Sequence, residues 1–253
     1  MRHTLWPARL TLGLLLLGCG PGGPDMSGAI LHGEDLRGKN LSRANLTDAD
    51  LERANLAGVD LSGAVLDRTR LAGANLSNAN LAGASFSDTN LDQANLSGAN
   101  LAGAELTRAN LAGANLTHAN FTGAALNGVN LAGADMERVI LAGADLTRQD
   151  LRPVRRLTGS VLRGANLQGA DLTRMDLRDV DLSGASLVGA SLAAADLLHA
   201  NLEEADLRHA DLTQANLFRV RLRGAHYDPL THWPDVSFRP QNYGAVPSAR
   251  GAG

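Results

Sequence analysis

The stretch "NLAGANLTHAN", residues 110–120, carries Leu111 and Leu116 five places apart. Five is neither the 3.6-residue period of an α-helix nor the two-residue period of a simple strand. Ala109, Ala114 and Ala119 each stand two places before a large residue, and an Asn lies between. The same beat runs along most of the chain. Taking the leucine slot as the centre of a unit, centres step by five from Leu31 to Leu151, resume after one extra residue at Leu157 and end at Leu222. Of these 39 centres 36 are Leu, and the others are Phe86, Phe121 and Met136, so the slot selects bulk. The slot two places earlier is Ala in 26 of 39 units, the slot between is mostly Asn or Asp, and the two slots after are small or polar.

Two apolar residues two apart point to the same side of an extended segment. The remaining three slots suit a corner and an outer surface. Each unit therefore reads as one side of a polygonal coil, with successive coils paired through their backbones at ~4.8 Å. The pattern leaves the number of sides open.

"ANLAGANLTHANF", residues 109–121, and its neighbours resemble the A(D/N)LXX motif of the pentapeptide repeat family, over about residues 28–226. The resemblance implies an all-β chain folded as a right-handed quadrilateral β-helix. Four units, or 20 residues, would make one coil, giving about ten coils and a rod of roughly 47 Å at ~4.8 Å per coil. Alanine two places before each centre follows from crowding in so narrow a core. Glu34 and Lys39 depart from that rule in the first units, an irregular start to the rod; Gln149, Arg155 and Met175 depart later.

A 20-residue coil stacks residues 20 apart on one face. One face then carries Gly63, Gly83, Gly103, Gly123, Gly143, Gly164, Gly184 and Gly224, beside Asn40, Asp60, Asn80, Asn100 and Asn120. Glycine permits positive φ at a corner, and stacked Asn forms hydrogen-bonded ladders, so both columns read as scaffold. A second face stacks Asn55, Asn75, Asn95, Asn115 and Asp135, then Arg156, Asp176 and Asp196. Arginines interleave with the acids late in the chain, so no continuous acidic stripe is expected.

The beat breaks once, in "DLRPVRRLTGSVLRG", residues 150–164, with one inserted residue around 152–156. Pro153 lacks a ladder donor and marks a bulge. Arg152, Arg155, Arg156 and Arg163 gather there as a candidate contact patch for an anionic partner or a lipid headgroup. An open end of the rod exposes a sheet edge and a core cross-section, so it needs a cover. "YDPLTHWPDVSFRP" resembles the tail that often follows such arrays, and Tyr227, Trp233, Phe238 and Tyr243 are expected to cap the last coil.

The beginning of the chain differs from the rest. "MRHTLWPAR" carries Arg2 and Arg9, and "LTLGLLLLG" has the length of a signal h-region, short of the ~20 apolar residues of a membrane span. The sole cysteine follows in "LLGC", which resembles a bacterial lipoprotein signal with Cys19 as the acylated residue. Residues 1–18 are thus expected to be a signal peptide, 19–27 a lipidated Gly/Pro tether, 28–226 the rod, and 227–253 the cap and tail. Removing residues 1–18 takes two of the 23 basic residues, so the mature charge is 21 − 26 = −5, too mild for strong nucleic-acid mimicry. One cysteine excludes an intrachain disulfide, leaving packing and hydrogen bonds to hold the fold.

Signs of chemistry are sparse. His118 and His199 share a face four coils apart, roughly 19 Å at ~4.8 Å each, too far for one metal ion. His199 and His209 fall on opposite faces. No H-E-x-x-H, G-x-S-x-G or phosphate-loop motif occurs in the sequence. A filled coil leaves no substrate pocket, so no enzyme, metal or cofactor is expected. The leading expectation is a membrane-anchored scaffold or protein-interaction rod of the bacterial envelope, attached through acylated Cys19. The alternative, also implied by the family, is a DNA-mimicking protein that binds a type II topoisomerase.

Overall fold

The computed structural model describes residues 23–248. Residues 1–18, read above as a signal peptide, Cys19 and residues 249–253 lie outside them. Isolated parallel bridges join residues 20 apart at every fifth position: Asn110 with Asn130, Asn115 with Asp135, Asn120 with Ile140, Ala125 with Asp145. Four bridged positions per 20 residues make a four-sided coil. The register begins at Asp25, which bridges Asn45, so Met26 is a buried centre one unit before Leu31.

The unit 109–113 shows why the beat is five. Leu111 donates its N–H to Asn130 O at 2.8 Å, and Gly113 donates to Ala132 O at 2.8 Å. Asn130 returns a bond to Ala109 O at 3.0 Å. At the corner, Ala114 N–H reaches Leu111 O at 3.0 Å, closing a four-residue turn. The third residue of each turn has positive φ, +64° at Gly113 and +60° at His118, as a type II turn requires. A side chain in that region costs roughly 1–2 kcal/mol, which neighbouring coils offset by ladder bonds on both sides.

Between the walls, Leu111, Leu116 and Phe121 alternate with Ala109, Ala114 and Ala119, all buried. The few inward hydroxyls are satisfied in one way. Thr69 donates to Leu46 O at 2.8 Å, Thr89 to Leu66 O at 2.6 Å, and Ser160 to Met136 O at 2.9 Å. Each thus bonds a centre carbonyl of the preceding coil, and no buried side-chain N or O lacks a partner among the described residues.

The inserted residue is placed differently from the sequence reading. Val154, not Arg155, fills the inward slot before Leu157, and Arg155 is extruded to the exterior. Pro153 is the cause. It occupies the turn position that has positive φ in the neighbouring units, and a proline ring holds φ near −65°. The chain therefore leaves that turn in another direction and needs one more residue to regain the wall. Two steps of the bridge ladder are skipped on either side, Asn130 with Asp150 and Arg156 with Asp176. The Gln149 side-chain amide donates to Val129 O at 2.8 Å, replacing the bond that the Asp150 N–H does not make. Met175 is buried as a substitute for Ala, whereas Glu34 is exposed and Lys39 half-buried at the start of the rod.

After Leu222 the beat continues for one unit, with Tyr227 in the next centre slot. Two short parallel strands follow the coil step, β1 (His226–Tyr227) and β2 (Val246–Pro247), with His226 opposite Val246. His232 bridges Asp211, and the buried Thr231 donates to Leu207 O at 2.9 Å. One 3-10 turn, Pro240–Tyr243, lies between the strands. No helix among the described residues is long and apolar enough to cross a membrane.

Truncating Leu111 to Ala should remove about 2–5 kcal/mol of stability, since the narrow interior cannot collapse around the void. A fall in the urea midpoint measures it, and an unchanged midpoint would contradict the packing described. A second expectation concerns the break. Deleting Arg155 alone should lower the midpoint, because Pro153 cannot adopt a regular turn; deleting it together with Pro153→Gly should restore the midpoint. A single deletion as stable as the parent would separate the bulge from the proline.

Candidate functional site

The inward slots of the described residues are filled by buried Leu and Ala, which directs the search for a site to the outer columns. Their local construction is repetitive. The Asn or Asp before each centre accepts a bond from the N–H two residues on, as Asn75 does from Ser77 at 3.1 Å. Its amide then donates to the preceding coil. Asn80 bonds Asp60 at 3.0 Å, Asn100 bonds Asn80 at 3.2 Å, and Asn120 bonds Asn100 at 3.3 Å. A parallel ladder runs through Asn55, Asn75 and Asn95. These side chains are consumed by the wall. The glycine column beside the first ladder is explained by backbone conformation. A Cβ at Gly83, Gly103, Gly123 or Gly143 would meet nothing within 4 Å, and each has φ between +64° and +66°.

Charges pair along the columns or within a single unit. Arg68 bonds the Asp48 carboxylate at 2.8 Å, and Arg108 bonds Asp88 at 2.6 Å, giving the stack Asp48, Arg68, Asp88, Arg108 along one corner. The guanidinium beside each acid holds its carboxyl below the ordinary range. All four side chains are exposed, so solvent screens each pair and it adds little to stability.

The four arginines at the break do not form one free patch. Arg152 lies 2.9 Å from Asp150 and 3.0 Å from Asp171. Arg156 is clasped by Asp135 and lies 2.9 Å from Glu137. Arg163 pairs with Asp181. Burial raises the Asp135 carboxyl, but the Arg156 guanidinium and the Glu137 N–H outweigh it and hold Asp135 below the usual carboxylate range. Arg155 forms no ion pair among those found in the described residues and stands exposed.

One cluster escaped the sequence reading. His32 Nδ1 lies 3.8 Å from Asp50 and 3.9 Å from Glu52. Their positions, 18 and 20 apart, are the signal that stacking would have supplied. Arg70 occupies the same carboxylates, 2.7 Å from Glu52 and 3.5 Å from Asp50. Its positive charge already offsets one of the two negative charges that a cation would need.

The four aromatics of the tail form a row. Tyr227 meets Trp233 edge-on at 5.6 Å, Trp233 stacks on Phe238 at 5.1 Å, and Phe238 stacks on Tyr243 at 5.0 Å. Trp233 and Phe238 pack against the core, and Gln241 donates to the Tyr227 hydroxyl at 2.5 Å. Asp228 ties this segment back to the rod, accepting the His209 N–H at 3.0 Å and lying 2.8 Å from its ring.

Comparison with known proteins agrees with this construction. The family profile described as pentapeptide repeats matches with eight copies, spanning residues 25–152 and 156–224 and interrupted at the break. Comparison with curated protein sequences finds no match. Among solved structures, the chain is similar to HetL, a pentapeptide repeat protein involved in heterocyst differentiation regulation from the cyanobacterium Nostoc sp. strain PCC 7120. The identity is 34%, over 79% of this chain and 81% of HetL, with a TM-score of 0.32. A trypsin-treated form of QnrB1, a plasmid-mediated fluoroquinolone resistance protein, is 20% identical over 80% of this chain and 92% of its own, with a TM-score of 0.45. A pentapeptide repeat protein of the Arabidopsis thaliana thylakoid lumen is 29% identical over 49% of this chain and 69% of its own, with a TM-score of 0.20. With TM-scores this low the superpositions add nothing to the shape; the repeats themselves decide. On those repeats and the 20-residue ladder they build, the chain belongs to the pentapeptide repeat family.

Proposed function

We propose that this protein is a non-enzymatic interaction rod, held at the bacterial cell envelope through an acylated Cys19. The observation that carries the non-enzymatic part is the filled interior: centre leucines and their alanines are buried from Leu46 to Leu212, and the outer polar columns are bonded to one another. A rod of this kind offers an extended, repetitive surface suited to a protein partner. The "LLGC" segment behind an apolar run supports the anchor. A lipoprotein anchor carries more than one chain, which stable attachment requires. The alternation of Asp48, Arg68, Asp88 and Arg108 weighs against the nucleic-acid-mimicking alternative, because mimicry of a phosphate backbone needs a run of one sign. The aromatic row from Tyr227 to Tyr243 is read as the cap that keeps the last coil from pairing with another chain.

Palmitate labelling of the full chain, with a Cys19→Ala control, tests the anchor. Label and membrane association are expected in the parent and lost in the variant; a chain that fractionates as cytosolic regardless of Cys19 would defeat the reading. For the cap, Trp233→Ala should cost roughly 2–4 kcal/mol in urea unfolding, whereas Leu230→Ala, on an exposed side chain, should cost little. Equal effects from the two would remove the distinction on which the cap rests.

A further inference from the structure

Seventeen of the chain's asparagines are followed by residues other than glycine, mostly leucine; Asn127 is followed by Gly128. In the wall the next N–H is engaged at all but two steps, Asn130–Leu131 and Asn216–Leu217: Leu111 donates to Asn130 O at 2.8 Å, and Leu116 to Asp135 O at 2.8 Å. Asn78, a turn residue, is also followed by an engaged donor, Ala79, which bonds Leu76 O at 3.0 Å. Asn127 combines three features. It is exposed at a corner. The residue after it has no side chain to obstruct attack. And the Gly128 N–H makes none of the backbone bonds found among the described residues, whereas the equivalent Gly113, Gly123 and Gly143 each donate to the next coil at 2.8–2.9 Å.

The slack has a structural source. Asn127 lies in the coil directly before the Pro153 bulge. Its unit borders the skipped Asn130–Asp150 step, and the turn bond from Val129 to Leu126 O is stretched to 3.3 Å. The break therefore leaves a free nucleophilic nitrogen next to an exposed amide.

We propose that Asn127 is a deamidation site built into the rod by the register break. The Gly128 backbone nitrogen bonds to Asn127 Cγ, the Cγ–Nδ2 bond breaks, and ammonia leaves with the Gly128 proton, forming a succinimide. Water then opens the ring. Cleavage of the new N–Cγ bond leaves aspartate in a normal chain; cleavage at the Asn127 main-chain carbonyl leaves isoaspartate, with the chain running through the side chain. Water enters, ammonia leaves, and nothing is oxidised or reduced. The product matters at this position. Asn127 Nδ2 now donates to Asp145 Oδ2 at 3.3 Å, and either product replaces that bond with two facing carboxylates. Isoaspartate also lengthens the main chain beside a ladder step that is already missing.

The test is incubation of the intact purified protein at mildly alkaline pH, followed by peptide mapping for the Asn-to-Asp mass change and isoaspartyl methyltransferase labelling. Asn127 is expected to convert about tenfold or more ahead of any Asn–Leu step, reflecting a bare neighbour throughout and, against all but the steps after Asn130 and Asn216, a free donor as well. The same digest supplies those steps as internal controls. Asn127→Ser, a residue the same turn slot holds at Ser62 and Ser77, should abolish the isoaspartyl label. Conversion of Asn127 no faster than that of Asn115 or Asn120 would overturn the proposal. So would conversion seen in urea but suppressed in the native rod, since the turn would then be shielding the site.

Discussion

Everything in this molecule depends on the hydrogen bond that a centre residue donates to the carbonyl nineteen places further on, as Leu111 does to Asn130. That bond sets the length of the coil at 20 residues and makes every wall a parallel ladder. With four walls so close, the interior holds one large and one small side chain per side. Leu and Ala alternate for that reason, and the substitutions that survive inside, such as Thr69 and Ser160, carry a hydroxyl that bonds a centre carbonyl of the preceding coil. An unpaired polar group there would cost its full desolvation penalty.

The corner imposes the second constraint. Each turn needs positive φ at its third residue, which glycine accepts freely and Arg or His accepts at a cost. Proline cannot comply. Pro153 therefore explains the inserted Arg155, the two skipped bridges and the rescue of Val129 O by Gln149. The interruption in the family match between residues 152 and 156 falls at the same place. One ring closure in one side chain disturbs three successive coils because each coil is the template for the next.

Because residues 20 apart stack, charges neutralise one another lengthwise. Arg152, Arg156 and Arg163 are balanced by acids of adjacent coils or of their own unit. A patch that reads as basic along the chain is thus close to neutral on the surface.

The five-residue beat by itself determined the all-β coil, the inward leucines and alanines, and the outward Asn columns. Each follows from a side chain repeating in one slot, which is visible in one dimension. The single insertion near Pro153 was legible as a break in that beat, and the aromatic tail by its resemblance to tails that follow such arrays. Tertiary structure decided what depends on stacking. It placed Val154 and not Arg155 inside, since the slot is defined by the wall and not by counting back from Leu157. It brought His32 and Arg70 to the same acids, Asp50 and Glu52, and it left the Gly128 N–H without a backbone partner among the described residues. Those outcomes turn on which groups meet between coils, and a linear repeat specifies its own period without specifying its neighbours across an irregularity.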